Sequence, residues 1–221
     1  MARRGSYAKG IAKREEILDA ALDIVARVGY SRTTVRELAQ AVGLSQTGLL
    51  HYFGTKEQLF VEILRRRDEV DQRVFGVSGD GARTEPADLP RAFTALVRHN
   101  TEVPGLVQLY SRLSSEAAEP DHPAHAFFRD RYDQARSEVA TFVREQQAAG
   151  SLRAALDPER LAVMLFALMD GLQAQWMYNP EIDMAEQLGH FWELVANGPG
   201  KEEVGPAPPT EPAANNSGDQ R

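Results

Sequence analysis

Residues 33–53, TTVRELAQAVGLSQTGLLHYF, decide the fold. They read as two short helices joined by a tight turn. Thr34 and Glu37 have the spacing of a capping box, a hydroxyl at the N-cap and a carboxylate three residues on. Val35, Leu38, Ala39 and Val42 then fall on one face at helical spacing. Gly43 follows, where a helix that stops sharply needs a residue tolerant of positive φ. Ser45 can cap the second helix, with Leu49 and Phe53 as its inner face. Ala39 allows close approach, Gly43 makes the turn and Leu49 plugs the gap. That Ala-x3-Gly-x5-Leu spacing is the pattern of a helix-turn-helix, whose second helix enters the major groove of DNA.

The chain has 221 residues, 43% of them hydrophobic, enough for a sizeable core. No apolar run reaches the length of a membrane span, and the basic N-terminus lacks the apolar stretch of a secretory signal. With no cysteine, disulfide and thiol chemistry are excluded. The reading is a cytoplasmic protein. Its net charge of −7 is unevenly spread. Residues 1–56 hold nine Lys/Arg against five acids, about +4, which leaves −11 for the rest. A basic head that faces nucleic acid and an acidic body fit that split.

Working outward, Arg3, Arg4 and Lys9 sit in an arm that either follows DNA or frays. A first helix is expected from about Ala8 to Val28, with Ile17, Ala21, Ile24, Val25 and Val28 as its stripe. A fourth helix starts near Lys56, where Thr55 and Gln58 repeat the capping-box spacing, and runs to about Phe75. Arg65 to Arg67 on it read as solvated or paired with carboxylates. Gly76–Pro86 reads as a linker. Helices are expected over Leu89–Val103 and Leu106–Ala118, separated by a break at Pro104-Gly105. After a second break at Pro120–Pro123 a long helix carries Phe128, Tyr132, Ala135, Val139, Phe142 and Val143. Asp157-Pro158 starts another, an Asp cap followed by Pro at the first helical position. Its residues Leu161 to Met169 are nine consecutive apolar side chains, and a helix apolar all round must be covered all round. Together with the last helix, Asp183–Ala196, it is expected to join two copies into a homodimer. No segment reads as strand. The fold is therefore all-α, with a helix-turn-helix domain at 1–56, a helical-bundle ligand-binding and dimerisation domain at 57–197, and a disordered tail at 198–221.

No Gly-rich phosphate loop, nucleophile elbow or paired-carboxylate set appears, so neither a catalytic residue nor a cofactor is expected. His122 and His125, with Asp121 and Asp130, lack an established metal-ligand spacing. Glu186 and His190 are one residue too far apart for a di-iron bundle. Ligand-site candidates are polar or aromatic residues on otherwise apolar helices: Tyr110, Phe127, Met164, Asp170, Gln173, Trp176, Met177 and Tyr178. Asp170, a carboxylate directly after the apolar run, needs a partner, either a cationic effector or an arginine of the same fold.

The helix ending in Gly29-Tyr30, the segment TTVRELAQAVGLSQTGLLHYFGTKEQLF and the all-helical remainder together resemble the TetR family of bacterial transcriptional regulators. The later region faintly resembles the choline-responsive repressors of that family. The resemblance implies a homodimer on a double-stranded DNA operator, an unknown small-molecule effector in each C-terminal domain, and repression relieved by that effector. It also implies roles for particular residues. Gln46 and Thr47 lie nearest the base edges, where Gln pairs with adenine and a Thr methyl touches thymine. Gly48 lets the backbone come close. His51, Tyr52, Thr34, Arg36, Ser45 and Lys56 reach phosphates. Leu50 stands where the family often has an aromatic ring and offers only an apolar contact. Two other readings stay open at this stage: an architectural DNA-binding protein without effector, and a helical-bundle metal protein.

Overall fold

Thr34 caps α2 (Val35–Ala41) as its spacing predicts. Its hydroxyl accepts from the Glu37 N–H at 3.2 Å, and the Glu37 carboxylate accepts from the Thr34 N–H at 2.8 Å. Gly43 takes φ +70° in the turn. Ser45 then caps α3 (Gln46–Phe53), accepting from the Gly48 N–H at 3.0 Å. Thr55 and Gln58 form the same reciprocal box at the start of α4 (Lys56–Phe75). Each such cap contributes about 1 kcal/mol. Three of them within some twenty residues fix where the short helices begin.

The computed structural model describes residues 2–76 and 88–198, with the side chains of 2–8 and 31 outside that description. Among the described residues the chain is all-α. α1 spans Ala2–Val28, and a 3-10 turn, Tyr30–Arg32, leads into α2. After α4 come α5 (Leu89–Asn100), α6 (Pro104–Glu116), α7 (His125–Ala148), α8 (Pro158–Tyr178) and α9 (Met184–Asn197). No described helix is long and apolar enough to cross a membrane. The linker expected at Gly76–Pro86 and the tail expected at 198–221 fall, apart from Gly76 and Gly198, outside the described residues.

Four expectations are corrected. The segment holding Arg3, Arg4 and Lys9 is the first part of α1 rather than an arm before it. It is rich in good helix formers, and two glycines at about 1 kcal/mol each do not stop a helix that already has a packed body. Val28 is 47% exposed, so the inner face of α1 is Ile17, Leu18, Ala21 and Val25. α5 stops at Asn100, short of Val103. The Pro104-Gly105 pair opens α6 instead of only breaking what precedes it. Proline suits a first helical position because the N–H it lacks has no intrahelical partner there.

Two apolar clusters hold the chain. One joins α1 to α4 with α6 and the start of α7, through Leu38, Leu49, Phe60, Ile63, Leu109 and Phe128. The other joins α5, the later part of α7, α8 and α9 through Val97, Val143, Leu165, Met184 and Leu188. α6 bridges them, since Leu109 sits in the first and Val107 in the second. Its N-terminus lies against the end of α1, and a Cβ on Gly105 would collide with the Val25 carbonyl and the Gly29 Cα.

Gly105→Ala is therefore expected to destabilise more than Gly43→Ala, which meets nothing within 4 Å but must hold φ +70°. Thermal unfolding should show Gly43→Ala costing about 1–2 kcal/mol, with a clearly larger fall in Tm for Gly105→Ala. Equal Tm values would mean that α6 and α1 are not in tight contact.

Candidate DNA-binding face and effector cavity

α3 places its side chains in two sets. Leu49 and Phe53 are buried and Gln46, Thr47 and His51 are exposed, with Gly48, Leu50 and Tyr52 between. Gln46 and Thr47 occupy the first turn, and their side chains have no hydrogen-bond partner among the described residues, so their polar groups are available to a base edge. A Cβ at Gly48 would lie 3.2 Å from the Ser45 hydroxyl, so a larger residue would crowd the cap. Arg36 and Lys56 are exposed. Lys56 Nζ sits 5.7 Å from the Phe60 ring centroid. The Thr34 and Ser45 hydroxyls are committed to helix caps, so a phosphate at either must share or displace a cap bond. Hydrogen bonding from the Thr34 backbone, then from its hydroxyl, holds the Glu37 carboxyl below the usual carboxylate range.

A second constellation lies where α4, α5, α6, α7 and α8 meet. It surrounds a cavity of about 60 Å³ lined by Arg67, Asp68, Asp71, Asn100, Tyr110, Arg131, Asp170 and Gln173, with Phe93, Phe166 and Met169 as apolar walls. Arg131 grips Asp68 with two bonds of 2.9 and 3.1 Å. Arg67 lies 3.4 Å from Asp71 and donates to Asn100 at 2.5 Å. Tyr110 donates to Tyr132 at 3.0 Å, and Tyr132 donates to Asp170 at 2.5 Å. Gln173 is 6% exposed, and its amide has no hydrogen-bond partner among the described residues.

The charges do not balance. Two arginines face three aspartates, and both arginines are taken up by Asp68 and Asp71. Asp170 is left with a tyrosine hydroxyl in place of a cation. Burial pushes its carboxyl above the ordinary range, against the pull of Tyr132 and Arg131. Burial likewise raises Asp71, with Arg67 opposing. On Arg67 burial works the other way and lowers it.

Of the eight ligand-site candidates, Tyr110, Asp170 and Gln173 line this cavity. Phe127 is buried beside Phe128, and Arg65 lies over its ring. Trp176 and Met177 pack in the second apolar cluster. Met164 and Tyr178 are 54% and 92% exposed, on the outer surface of α8. Sequence reasoning passed over Arg67, Asp68, Asp71, Asn100, Arg131 and Tyr132. Of the cluster expected to be solvated or paired, Arg67 is buried, at 8% exposure. The signal was present in α4: its inner stripe of Leu59, Phe60, Ile63 and Leu64 continues at helical spacing into Arg67 and Asp71. The partner expected for Asp170 was an effector or an arginine, and the chain supplies Tyr132 instead. His122 and His125 serve the loop before α7, bonding the Ala124 N–H and the Ala117 carbonyl.

A wider depression of about 510 Å³ lies between the ends of α7 and α9, lined by Phe142, Gln146, Leu152, Trp192 and Glu193 among others. Trp192 Nε1 is buried and has no hydrogen-bond partner among the described residues.

Because the folded protein raises the Asp170 pKa, that group favours the fold below its unfolded pKa, about 3.9. The contribution is lost as pH rises through the folded value. Asp170→Asn, which can still accept from Tyr132, should therefore raise Tm at pH 7, with the gain shrinking as pH falls toward 4. A Tm difference that does not change with pH would show that Asp170 carries no burial penalty.

Comparison with known proteins finds likenesses in two separate stretches of the chain. Residues 17–63 match the family model described as bacterial regulatory proteins, tetR family. Residues 114–196 match the BetI-type transcriptional repressor C-terminal model. The transcriptional regulator RutR of Escherichia coli (strain K12) is 42% identical over 55 residues, 25% of this chain and 26% of that relative. The match thus spans about a quarter of the relative's length. Among solved structures, a transcriptional regulator from Saccharomonospora viridis in complex with choline is 25% identical, with a TM-score of 0.62 over 81% of this chain and 95% of that one. FadR of Thermus thermophilus, in complex with lauroyl-CoA, is also 25% identical, with a TM-score of 0.55 over 90% and 100%. With the helix-turn-helix and the helical body each matched, the chain belongs to the TetR family of bacterial transcriptional regulators.

Proposed function

We propose that the protein is a dimeric repressor that leaves its operator when a small organic cation fills the Asp170 cavity. The observation that carries the DNA half is the exposed, unpaired pair Gln46 and Thr47 at the start of the second helix of the motif. Phosphate contacts from Lys56, Arg36 and His51 would set the register, and the two base-reading side chains the sequence preference.

Pairing of two chains rests on α8. Its inner residues Leu161, Leu165, Phe166 and Met169 are buried, while Val163 and Met164 are more than half exposed and Ala167 is exposed beside them. Leu194 on α9 is 52% exposed. A second copy of this surface covers that outer stripe and sets the two heads a fixed distance apart. Half-sites of the operator then lie about 34–36 Å apart, or a multiple of that.

In a gel shift, Gln46→Ala should lose preference for operator over random DNA, and Lys56→Ala should weaken both about evenly. A Val163→Asp, Met164→Asp double variant should sediment as a folded monomer with weak operator binding. Wild-type binding by all three would reject this arrangement.

The effector class follows from the charge count. The cavity holds one carboxylate more than it holds guanidinium groups, and the spare one is Asp170. A cation there would relieve its burial penalty, and the free Gln173 amide would pair with a polar group on the same molecule. Ligand pockets usually measure about 300–1,000 Å³. This cavity of about 60 Å³ suits a compact guest and must widen even for that. The Saccharomonospora relative holds choline, the Thermus one lauroyl-CoA, and the charge and size here favour a guest of the first kind. A second reading places the effector in the wider depression, on the strength of the unpaired Trp192 Nε1.

Calorimetry with choline as the probe decides between the two. Binding that is lost in Asp170→Asn and weakened in Gln173→Ala supports the polar cavity. Binding that is lost only in Trp192→Phe supports the depression. Tight binding of lauroyl-CoA with none of choline would overturn the cationic class.

A further inference from the structure

The structure assigns Arg112, a residue of the effector-binding body, to the DNA-contact surface: we propose that it grips an operator phosphate beside Lys56. This rests on the DNA-binding reading given above. The starting observation is a depression of about 270 Å³ lined by Tyr30, Thr33, Thr34, Val35, Lys56 and Arg112. Five of the six belong to the head or to the first turn of α4. Only Arg112 comes from α6.

Its position is fixed by contacts on two sides. The Arg112 guanidinium lies 5.5 Å from the Tyr30 ring centroid. Tyr30 meets Phe60 edge-on at 5.1 Å, and Lys56 Nζ lies 5.7 Å from the Phe60 ring. Two cations thus flank one pair of rings and open onto the same depression. Arg112 Nε donates to Glu116 at 3.0 Å, which leaves the two terminal nitrogens of the fork without a hydrogen-bond partner among the described residues. Of the acids nearby, Glu116 is engaged by Arg112 and Glu37 by the α2 capping box, while Glu57, beside Lys56, also acts on Tyr30 and offsets part of the positive charge. The depression also lies beside Thr34, at the N-terminus of α2, and Lys56, at that of α4. An anion held between Lys56 and the Arg112 fork would be a phosphate of the same strand that Lys56 contacts. A planar guanidinium suits that task, since its two terminal N–H groups match two phosphate oxygens.

Arg112 lies two residues after Tyr110, whose hydroxyl faces the effector cavity. Repacking of that cavity would therefore shift a DNA-contacting cation directly, in addition to any change in head separation.

The test is the salt dependence of binding to a mixed-sequence duplex, read by fluorescence anisotropy. Each phosphate contact contributes about 0.9 to the slope of log K against log salt. Arg112→Ala should lower the slope by about 0.9 per head, and Arg112→Lys should recover most of it. Glu116→Gln should leave the slope unchanged or steeper. A weaker Arg112→Ala with an unaltered slope would mean that the residue only braces Tyr30, and the proposal would fall. An Arg112→Ala that binds like wild type would also overturn it. A wild-type protein with no salt-dependent binding would sink the DNA-binding reading itself.

Discussion

The contact on which both halves of the molecule depend is the approach of α6 to the end of α1. Gly105 brings two backbones together where no side chain fits, against the Val25 carbonyl and the Gly29 Cα. From that fixed point α6 runs between the two apolar clusters. Tyr110 faces the buried cavity, and two residues on Arg112 covers the Tyr30 ring of the head. Packed interiors are close to crystal density and do not deform gradually. On the proposed effector reading, a change in the cavity that moved Tyr110 would reach the head through α6, a helix of thirteen residues.

The cavity is costly to build, because five charged groups are drawn largely out of water to line it. A buried ion pair repays its desolvation only with good geometry, and apolar replacements are often as stable. Arg131 and Asp68 have such geometry, with two parallel bonds. Arg67 and Asp71 are less well matched, at 3.4 Å, and depend on Asn100 for a further bond. Asp170 has no ion pair of its own and feels Arg131 only at longer range, and Gln173 has no hydrogen-bond partner among the described residues. A site with one carboxylate lacking an ion-pair partner and one amide lacking a hydrogen-bond partner among the described residues has the polarity of a receptor rather than of a core. The stability forgone by those two groups is what a matching guest would restore.

The head was legible because its information is local. A hydroxyl three residues before a carboxylate or amide states where a helix starts, and Thr34, Ser45 and Thr55 each do so. Asp157 and Asp183 mark α8 and α9 in the same way. The cavity was legible only in part because its pairings join distant stretches. Tyr132 reads as one more ring on an apolar stripe, and nothing in its neighbourhood announces Asp170, 38 residues away. Arg65 to Arg67 read as solvated or paired with carboxylates, and all three are paired, but nothing local announces that the Arg67–Asp71 pair is buried. Length, too, was misjudged where no local stop exists, as at the start of α1. Met164 shows the opposite limit. A methionine inside an apolar run looks like core, and only packing shows that it stands on the outer side of α8.

Whether one small guest can drive the switch is a question of magnitude. Turning a two-state population from 1:99 to 99:1 requires a preference of about 5.5 kcal/mol for one state. Two unit charges at about 4 Å interact by about 4 kcal/mol at the effective dielectric of a partly buried site. A hydrogen bond to an otherwise unpaired amide adds about 1 kcal/mol. Those two contacts, to Asp170 and Gln173, come to the required size only if they are made almost wholly in one state of the body. On the proposed reading, the cavity of about 60 Å³ would supply that condition, because a guest too large for it would bind a widened form alone. A roomy preformed pocket with the same polar groups would bind the guest in both states, and binding shared equally between states shifts nothing.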